Sequence, residues 1–177
     1  MQVLKILAGL VAVVVVAVLV LASFEPDVFR VQRSTTIAAP AAKVFPLIDD
    51  FRRWTAWSPF EKLDPAMKRT YGTPSAGPGA TYAWDAEGRA GAGRMTIAES
   101  VSPSKVGIVL EFTRPLENRA AATFTLAPQG DATLVTWSMQ SPSPFVAKVM
   151  HVFFDAEKLV GEDFSRGLAD LKAVAEK

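Results

Sequence analysis

The chain begins with an unbroken apolar run that has no counterpart in the rest of the sequence. From Ile6 to Ala22 no side chain is polar or charged. As a helix, residues 3–24 would extend about 33 Å, enough to cross a hydrocarbon core of roughly 30 Å. A helix also satisfies its own backbone groups in lipid. The run therefore predicts a transmembrane anchor within residues 1–25, with a signal-like segment cleaved after Ala22 as the alternative.

After this run, polar and apolar positions alternate in residues 28–37, which predicts a β-strand. A helical repeat of apolar positions follows from Val44 to Phe51, and Pro40 suits the first turn of that helix. Pro46 interrupts the repeat, so we expect two short helices in place of one long helix.

Six further alternating runs begin at Lys68 and are separated by short segments rich in glycine, proline and serine. The runs are KRTYG, ATYAWDA, RMTIAESV, KVGIVLEFT, AAATFTLA and ATLVTWSMQ. Links of this length join antiparallel strands and leave no room for the crossovers of a parallel sheet. The pattern predicts an antiparallel meander and excludes a doubly wound nucleotide-binding fold.

The last segment carries apolar residues at intervals of three or four, which predicts a long amphipathic helix. These positions are Val149, Phe153, Ala156, Val160, Phe164, Leu168 and Leu171. An antiparallel sheet needs its apolar face covered, and this helix is the only predicted element large enough to cover it. The expected architecture is α+β: an N-terminal anchor, one strand, two short helices, six strands and a C-terminal helix gripped by the curved sheet.

Charge narrows the choice of partners and of cellular compartment. Lys5 is the only charged residue in the first 24, so the remainder holds 18 basic and 18 acidic residues and is formally neutral. Its basic residues are scattered, and the electrostatic footprint for nucleic acid is missing. Lys5 before the run, with Glu25 and Asp27 after it, favours an inside N-terminus. We therefore expect a single-pass protein of the inner (cytoplasmic) membrane, with its soluble domain in the periplasm or another extracytoplasmic space.

Five segments, in this order, resemble the SRPBCC or START-like superfamily, in particular its bacterial polyketide cyclase/dehydrase-like branch. They are WTAWSPFEKLDP, MKRTYGTP, GATYAWDAEGRAGAGRMTI, VTWSMQ and VGEDFSRGLADLKAVAE. The resemblance covers about residues 28–177, and we assign residues 26–177 to one domain. It implies a helix-grip fold, in which a seven-stranded antiparallel sheet wraps around the C-terminal helix and encloses a hydrophobic cavity. It also implies a binding module for lipids, polyketides or other apolar molecules, with catalysis only in some branches and no catalytic set that transfers to this chain.

Large apolar side chains on the predicted inward faces are candidates for lining such a cavity. We expect ligand contacts from Trp57, Phe60, Tyr82, Trp84, Met95, Ile97, Phe112, Phe124, Trp137 and Phe153. Trp57 is placed at the cavity mouth, with Trp54 supporting it by packing. Tyr82, Trp84 and Trp137 could also orient a ligand through their hydroxyl or indole groups. The alternative for all of these residues is a solid core, in which the polar tips bond to neighbouring carbonyl groups.

Acid–base chemistry would depend on very few residues. Glu99 follows the inward-facing Met95 and Ile97, and a buried carboxylate there would be a candidate acid or base. In the alternative, the strand ends and Glu99 reaches water or Arg94. His151 is the only histidine and cysteine is absent, so a cluster of His or Cys ligands cannot form. Neither a metal nor another cofactor is predicted.

Three functions remain open at this level. The leading hypothesis is a membrane-anchored module that binds a hydrophobic small molecule or a lipid without chemistry, so no catalytic residue is assigned. The second is an enzyme of the cyclase or dehydratase type, with Glu99, Tyr82 or His151 as its acid–base group. The third is a protein-interaction module that uses the convex face of the sheet or the loop at residues 52–65.

Overall fold

The computed structural model describes the backbone of residues 2–177 and their side chains, except those of residues 4 and 89. Within this range there are four α-helices: α1 (Gln2–Phe24), α2 (Ala41–Asp49), α3 (Phe145–His151) and α4 (Ala156–Ala175). The strands are β1 (Val28–Ile37), β2 (Lys68–Tyr71), β3 (Thr81–Asp85), β4 (Ala92–Val101), β5 (Lys105–Arg114), β6 (Asn118–Gln129) and β7 (Ala132–Pro142). Short 3₁₀ helices occur at Phe51–Ala56, Pro59–Lys62 and Gly88–Ala90.

All seven strands form one sheet in the order β1-β7-β6-β5-β4-β3-β2, and each neighbouring pair is antiparallel. The strands β2 to β7 are consecutive neighbours, as short links require. The first strand completes the sheet beside β7, where Val28 pairs with Pro142 and Ile37 with Thr133. The predicted antiparallel meander and the helix-grip fold class are confirmed.

The short helices after β1 are present, but the break between them comes later than Pro46. α2 continues through Pro46 to Asp49, because a proline in the second turn removes only one backbone hydrogen bond. At Asp50 the backbone becomes extended, and its carboxylate accepts a hydrogen bond from the N–H of Arg52 at 3.0 Å. We call residues 51–62, which contain the first two 3₁₀ helices, the aromatic segment.

The C-terminal helix is split into α3 and α4, which the apolar spacing did not predict. The second helix begins after Asp155, whose carboxylate accepts a hydrogen bond from the N–H of Lys158 at 2.9 Å. Such an N-cap satisfies one of the free N–H groups at a helix start. The expectation of one continuous helix is wrong in its first part, and Phe153 falls in the connection between the two helices.

The long helix α4 lies against β1 and β7 and covers one face of the sheet. Its buried side carries Phe164, Leu168 and Leu171. A Cβ atom at Gly167 would lie 2.7 Å from Cδ of Pro59 and 2.9 Å from the ring of Trp137. Glycine at this position therefore lets the aromatic segment and the sheet approach the helix closely.

The first helix stands apart from this packing. Its residues Lys5–Phe24 are long and apolar enough to cross a membrane, a description that an N-terminal signal sequence also meets. Most of its described side chains are exposed, and the helix packs against α3.

Candidate functional site

Most of the predicted ligand-binding residues lie together in the core that the sheet forms with the aromatic segment and α4. Six are buried: Trp57, Tyr82, Met95, Ile97, Phe124 and Trp137. Three more are partly buried around them: Phe60, Trp84 and Phe112. Phe153 is different, since it is 63% exposed. The expectation that Phe153 faces the sheet is wrong, because the cap at Asp155 ends the helical repeat that placed it there.

The interior is filled by stacked and edge-on rings. The ring of Trp137 lies almost parallel to that of Phe164, with centroids 3.8 Å apart, and stacks on Phe124 at 4.9 Å. Trp57 and Trp54 of the aromatic segment meet the ring of Trp137 edge-on at 5.8 and 6.5 Å. For this part of the molecule the solid-core alternative is the one observed. A ligand bound here would have to displace stacked rings, so ligand contact by these residues stays a prediction.

Trp57 illustrates the difference between the expected and observed packing. The side chain is 0% exposed, so its expected place at a cavity mouth is wrong. Its indole N–H donates to the carbonyl of Leu47 at 2.8 Å, and that of Trp54 donates to Ile48 at 2.8 Å. Both tryptophans therefore fix the aromatic segment to α2. In the described part of the chain, the buried indole N–H of Trp137 has no hydrogen-bond partner.

A buried carboxylate that sequence reasoning missed lies beside this interior. The side chain of Glu61 is only 5% exposed. It accepts hydrogen bonds from the hydroxyl of Tyr82 at 2.5 Å and from Nε of Arg69 at 2.6 Å. The one available signal was a charged residue next to Phe60 in a segment that is otherwise rich in aromatic rings. The three polar groups tie the aromatic segment to β2 and β3.

The electrostatics of this cluster favour a neutral Tyr82 and a charged Arg69. Burial, and then the hydrogen bond to Glu61, raise the pKa of Tyr82 far above its usual value. The hydrogen bond to Glu61 also raises the pKa of Arg69. A tyrosine held neutral in this way does not act as a base near neutral pH. Because its hydrogen bonds join the aromatic segment to β2 and β3, we call the cluster of Glu61, Arg69 and Tyr82 the clamp.

The other two acid–base candidates lie elsewhere. A register shift between Ile97 and Glu99 turns the Glu99 carboxylate outward, where it pairs with Lys105 at 2.7 Å and is half exposed. The alternative of a solvated Glu99 is the one observed, with Lys105 as partner in place of Arg94. His151 ends α3, with its ring 5.8 Å from that of Phe29. Among the described residues no three His, Cys, Asp or Glu side chains could hold a metal ion together.

An open cavity of about 950 Å³ lies where α1 leads into β1, at the end of α3 and the start of α4. We call it the junction cavity. Its apolar lining comprises Pro26, Val28, Phe29, Val152, Phe153, Phe154 and Ala156. Its polar lining comprises Glu25, Asp27, Arg30, Ser143, His151, Asp155 and Glu157. As ligand-binding or acid–base candidates, sequence reasoning named only Phe153 and His151 from this set, because the break between α3 and α4 was not predicted.

Two of the lining carboxylates form ion pairs, and one lining hydroxyl is buried. Nζ of Lys148 lies 2.5 Å from Oδ1 of Asp27, and this hydrogen bond lowers the pKa of Asp27. Glu157, another lining residue, pairs with Arg33 at 2.7 Å. Ser143 is 6% exposed, and its Oγ has no hydrogen-bond partner among the described residues. Half of the lining residues are apolar and half are polar or charged, so the cavity offers both kinds of contact to an amphiphilic molecule.

Comparison with known proteins places this fold in a family. Residues 28–176 match the model of the family described as "Polyketide cyclase / dehydrase and lipid transport". The chain belongs to this family. The match begins at the first residue of β1, so α1 and residues 25–27 of the junction cavity lie outside the matched range. No curated protein matches the chain by sequence.

Solved structures agree with this assignment at the level of the fold. Protein CV1439 from Chromobacterium violaceum is 16% identical, with a TM-score of 0.60 over 86% of this chain and 99% of that protein. A Nitrosospira multiformis protein is 21% identical, with a TM-score of 0.60 over 82% and 94% of the two chains. The Aha1 protein of Colwellia psychrerythraea, solved as a dimer, is 14% identical, with a TM-score of 0.57 over 84% and 96%. At these identities the similarity establishes the shared fold alone.

Proposed function

We propose that this protein is a membrane-anchored module that binds a hydrophobic small molecule or a lipid in the junction cavity. The single observation that carries the proposal is an open cavity of about 950 Å³, walled by aromatic rings, directly after the candidate span. α1 serves as a single-pass anchor in the inner (cytoplasmic) membrane. The charges that flank it favour a domain on the periplasmic or extracytoplasmic side.

The lining of the junction cavity supports an amphiphilic ligand without a negative charge. Phe29, Phe153 and Phe154 supply apolar surface for a hydrocarbon or ring system. Ser143 also lines the cavity, and its Oγ is buried without a hydrogen-bond partner among the described residues. Four carboxylates line the cavity, but Lys148 and Arg33 pair with two of them and Arg30 adds a third positive charge. The small excess of negative charge that is left disfavours an anionic head group.

The interior between the sheet and α4 is a second location for the same function. It is supported by the unpaired indole N–H of Trp137, since a buried donor without a partner costs about 1–3 kcal/mol and a ligand could satisfy it. The stacked rings around it count against this location. The junction cavity is favoured because it is open without any rearrangement.

The cyclase or dehydratase alternative has less support. Its three candidate acid–base groups lie in three separate places: Glu99 on the surface of β4, His151 at the end of α3, and Tyr82 bonded to Glu61. A reacting group needs its acid or base within hydrogen-bond reach of one substrate position. Binding without chemistry requires no such convergence, so it remains the favoured function.

Native mass spectrometry of the full chain, released from lipid nanodiscs, tests the proposal. The wild-type protein is expected to carry a copurified apolar molecule at a ratio near one to one. Ala156→Trp, which fills the junction cavity, should remove it. Ala132→Trp is the matched control, because Ala132 is also half buried but lies in the β6–β7 hairpin at the other end of the sheet. Wild-type protein without a bound molecule, or equal loss in both variants, contradicts the proposal.

A further inference from the structure

An exposed apolar surface covers α3 and the connection that follows it. It consists of Phe145, Val146, Met150, Phe153 and Phe154, which are 47–63% exposed. Contiguous apolar patches of this kind on a water-soluble domain mark interaction sites. The stretch 145–154 also contains no acidic residue, while it carries one lysine and one histidine. We call this surface the α3 face.

The packing of α1 sets the depth of the α3 face relative to the membrane. α1 packs against α3, and its described side chains are exposed except for Ala22, which is buried, and Val18, which is half buried. These two residues are four positions apart and share one side of the helix. Val18 lies six residues before Phe24, so the contact reaches about 9 Å back along the span at 1.5 Å per residue. That distance matches the roughly 5–10 Å to which interfacial helices bury their apolar face.

Polar contacts hold α3 in this position beside the anchor. The backbone N–H of Ser143 donates to the carbonyl of Asp27 at 2.8 Å. Lys148 of α3 pairs with the carboxylate of Asp27 at 2.5 Å, and its side chain is only 11% exposed. Because Asp27 lies three residues after the end of α1, both contacts fix α3 close to the point where the chain leaves the span. The α3 face therefore cannot move far from the membrane surface without breaking them.

We infer that the α3 face is embedded in the interface of the lipid bilayer and forms a second membrane contact beside α1. Phe153 and Phe154 belong both to this face and to the lining of the junction cavity. The cavity then opens toward lipid, and an apolar ligand enters it from the bilayer without crossing water. This inference rests on the proposed role of α1 as an anchor, and a bilayer is favoured over a protein partner because the face is continuous with the span.

Spin labels at single cysteines test the inference directly, because the chain has no native cysteine. The full chain is placed in nanodiscs of phosphatidylcholine and phosphatidylglycerol. Collision with oxygen reports exposure to lipid, and collision with a water-soluble nickel complex reports exposure to water. Labels are placed on the α3 face with Val146→Cys and Phe153→Cys, and in the span with Val13→Cys. Val101→Cys is the matched control, since Val101 is 48% exposed but lies in the β4–β5 hairpin at the opposite end of the sheet.

We expect the labels at 146 and 153 to collide several-fold more with oxygen than with nickel, as the label at 13 does, and the label at 101 to show the reverse. If the labels at 146 and 153 are accessible to nickel while the label at 13 is exposed to lipid, the inference about the α3 face is wrong, although α1 is still an anchor. Shielding of 146 and 153 from both reagents also overturns it, because a protein then covers the face. Nickel access at 13 contradicts the anchor itself. Circular dichroism confirms the fold of each variant, and the two labels on the face serve as independent readings.

Discussion

The interior beneath α4 and the junction cavity both contain aromatic side chains, but these are buried in the interior and exposed at the junction. In the interior, Trp57, Phe124 and Phe164 are at most 1% exposed and pack ring against ring. At the junction, Phe153 and Phe154 are about 60% exposed beside an open volume of about 950 Å³. Aromatic content therefore does not by itself mark a binding site in this fold. What separates the two regions is whether a third element, here the aromatic segment, fills the space between sheet and helix.

This contrast predicts that substitutions divide into two classes. Changes in the interior should lower the free energy of unfolding, since buried rings contribute transfer and packing energy. Changes at the junction should alter ligand or membrane binding with little effect on unfolding.

Trp57→Ala should lower the free energy of unfolding by about 3–5 kcal/mol, because it leaves a cavity where the ring contacts Trp54, Phe124 and Trp137. Denaturant unfolding of the full chain in micelles measures the loss. Phe154→Ala is the matched junction control and should change stability by no more than about 0.5 kcal/mol, because its side chain is exposed. Equal losses in the two variants would remove the distinction between the regions.

Glu61→Ala should lower the free energy of unfolding by about 2–4 kcal/mol, somewhat less than a fully buried ion pair, since Arg69 is a quarter exposed. The loss arises because Arg69 and the Tyr82 hydroxyl are left without their acceptor. Tyr82→Phe should cost only about 1–2 kcal/mol, because Glu61 keeps its pairing with Arg69. If Tyr82→Phe proves the more damaging of the two, Glu61 is not the centre of the clamp.

Gly167→Ala should lower the free energy of unfolding by about 1–3 kcal/mol, because the new Cβ meets the ring atoms of Pro59 and Trp137 at 2.7 and 2.9 Å. Gly161→Ala is its matched control on the same helix. There the new Cβ meets the guanidinium end of Arg33, a flexible group that can move aside. Thermal unfolding of the two variants compares them, and a larger shift for Gly161→Ala would contradict the packing described for α4.

The smallest expected effect is a change in the pH at which the tyrosine absorbance rises. The chain has two tyrosines, and burial raises the pKa of both Tyr71 and Tyr82 above the usual value of 10.0. Absorbance near 295 nm should therefore show little tyrosinate in the folded protein at pH 10–11, while the unfolded chain titrates near pH 10. Because the folded state favours the neutral phenol, this stabilisation is complete below pH 10 and is lost as the pH rises further. Titration of both tyrosines near pH 10 in the folded protein would contradict the burial of Tyr82 and its hydrogen bond to Glu61.

The sequence predicted the sheet well because strand alternation and short links are local signals. The strand positions of Tyr82, Met95 and Phe124 on the inward face followed directly from the two-residue period. That period assigns a face, but it does not say whether another element fills the space opposite. The burial of Trp57 and Glu61 depends on how the aromatic segment folds over the sheet, which is a contact between distant parts of the chain.

The junction cavity could not be predicted from the sequence for a different reason. The apolar spacing from Val149 through Phe153 to Ala156 fits a continuous helix, while the cap at Asp155 favours a new start. Two local signals therefore competed, and the longer periodic pattern gave the wrong boundary. Since the cavity exists only because of that break, neither Ser143 nor Phe154 could be recognised as a lining residue.

The location of the ligand is the central claim, and photo-crosslinking measures it directly. The full chain is placed in nanodiscs that contain a phosphatidylcholine with a diazirine at the end of one acyl chain, and the crosslinked peptides are identified by mass spectrometry. We predict crosslinks to Phe29 and to residues 155–157, which line the junction cavity but lie outside the α3 face, and their loss in Ala156→Trp but not in Ala132→Trp. Crosslinks concentrated instead at Trp57, Phe124 and Trp137 would place the ligand in the interior and contradict the account.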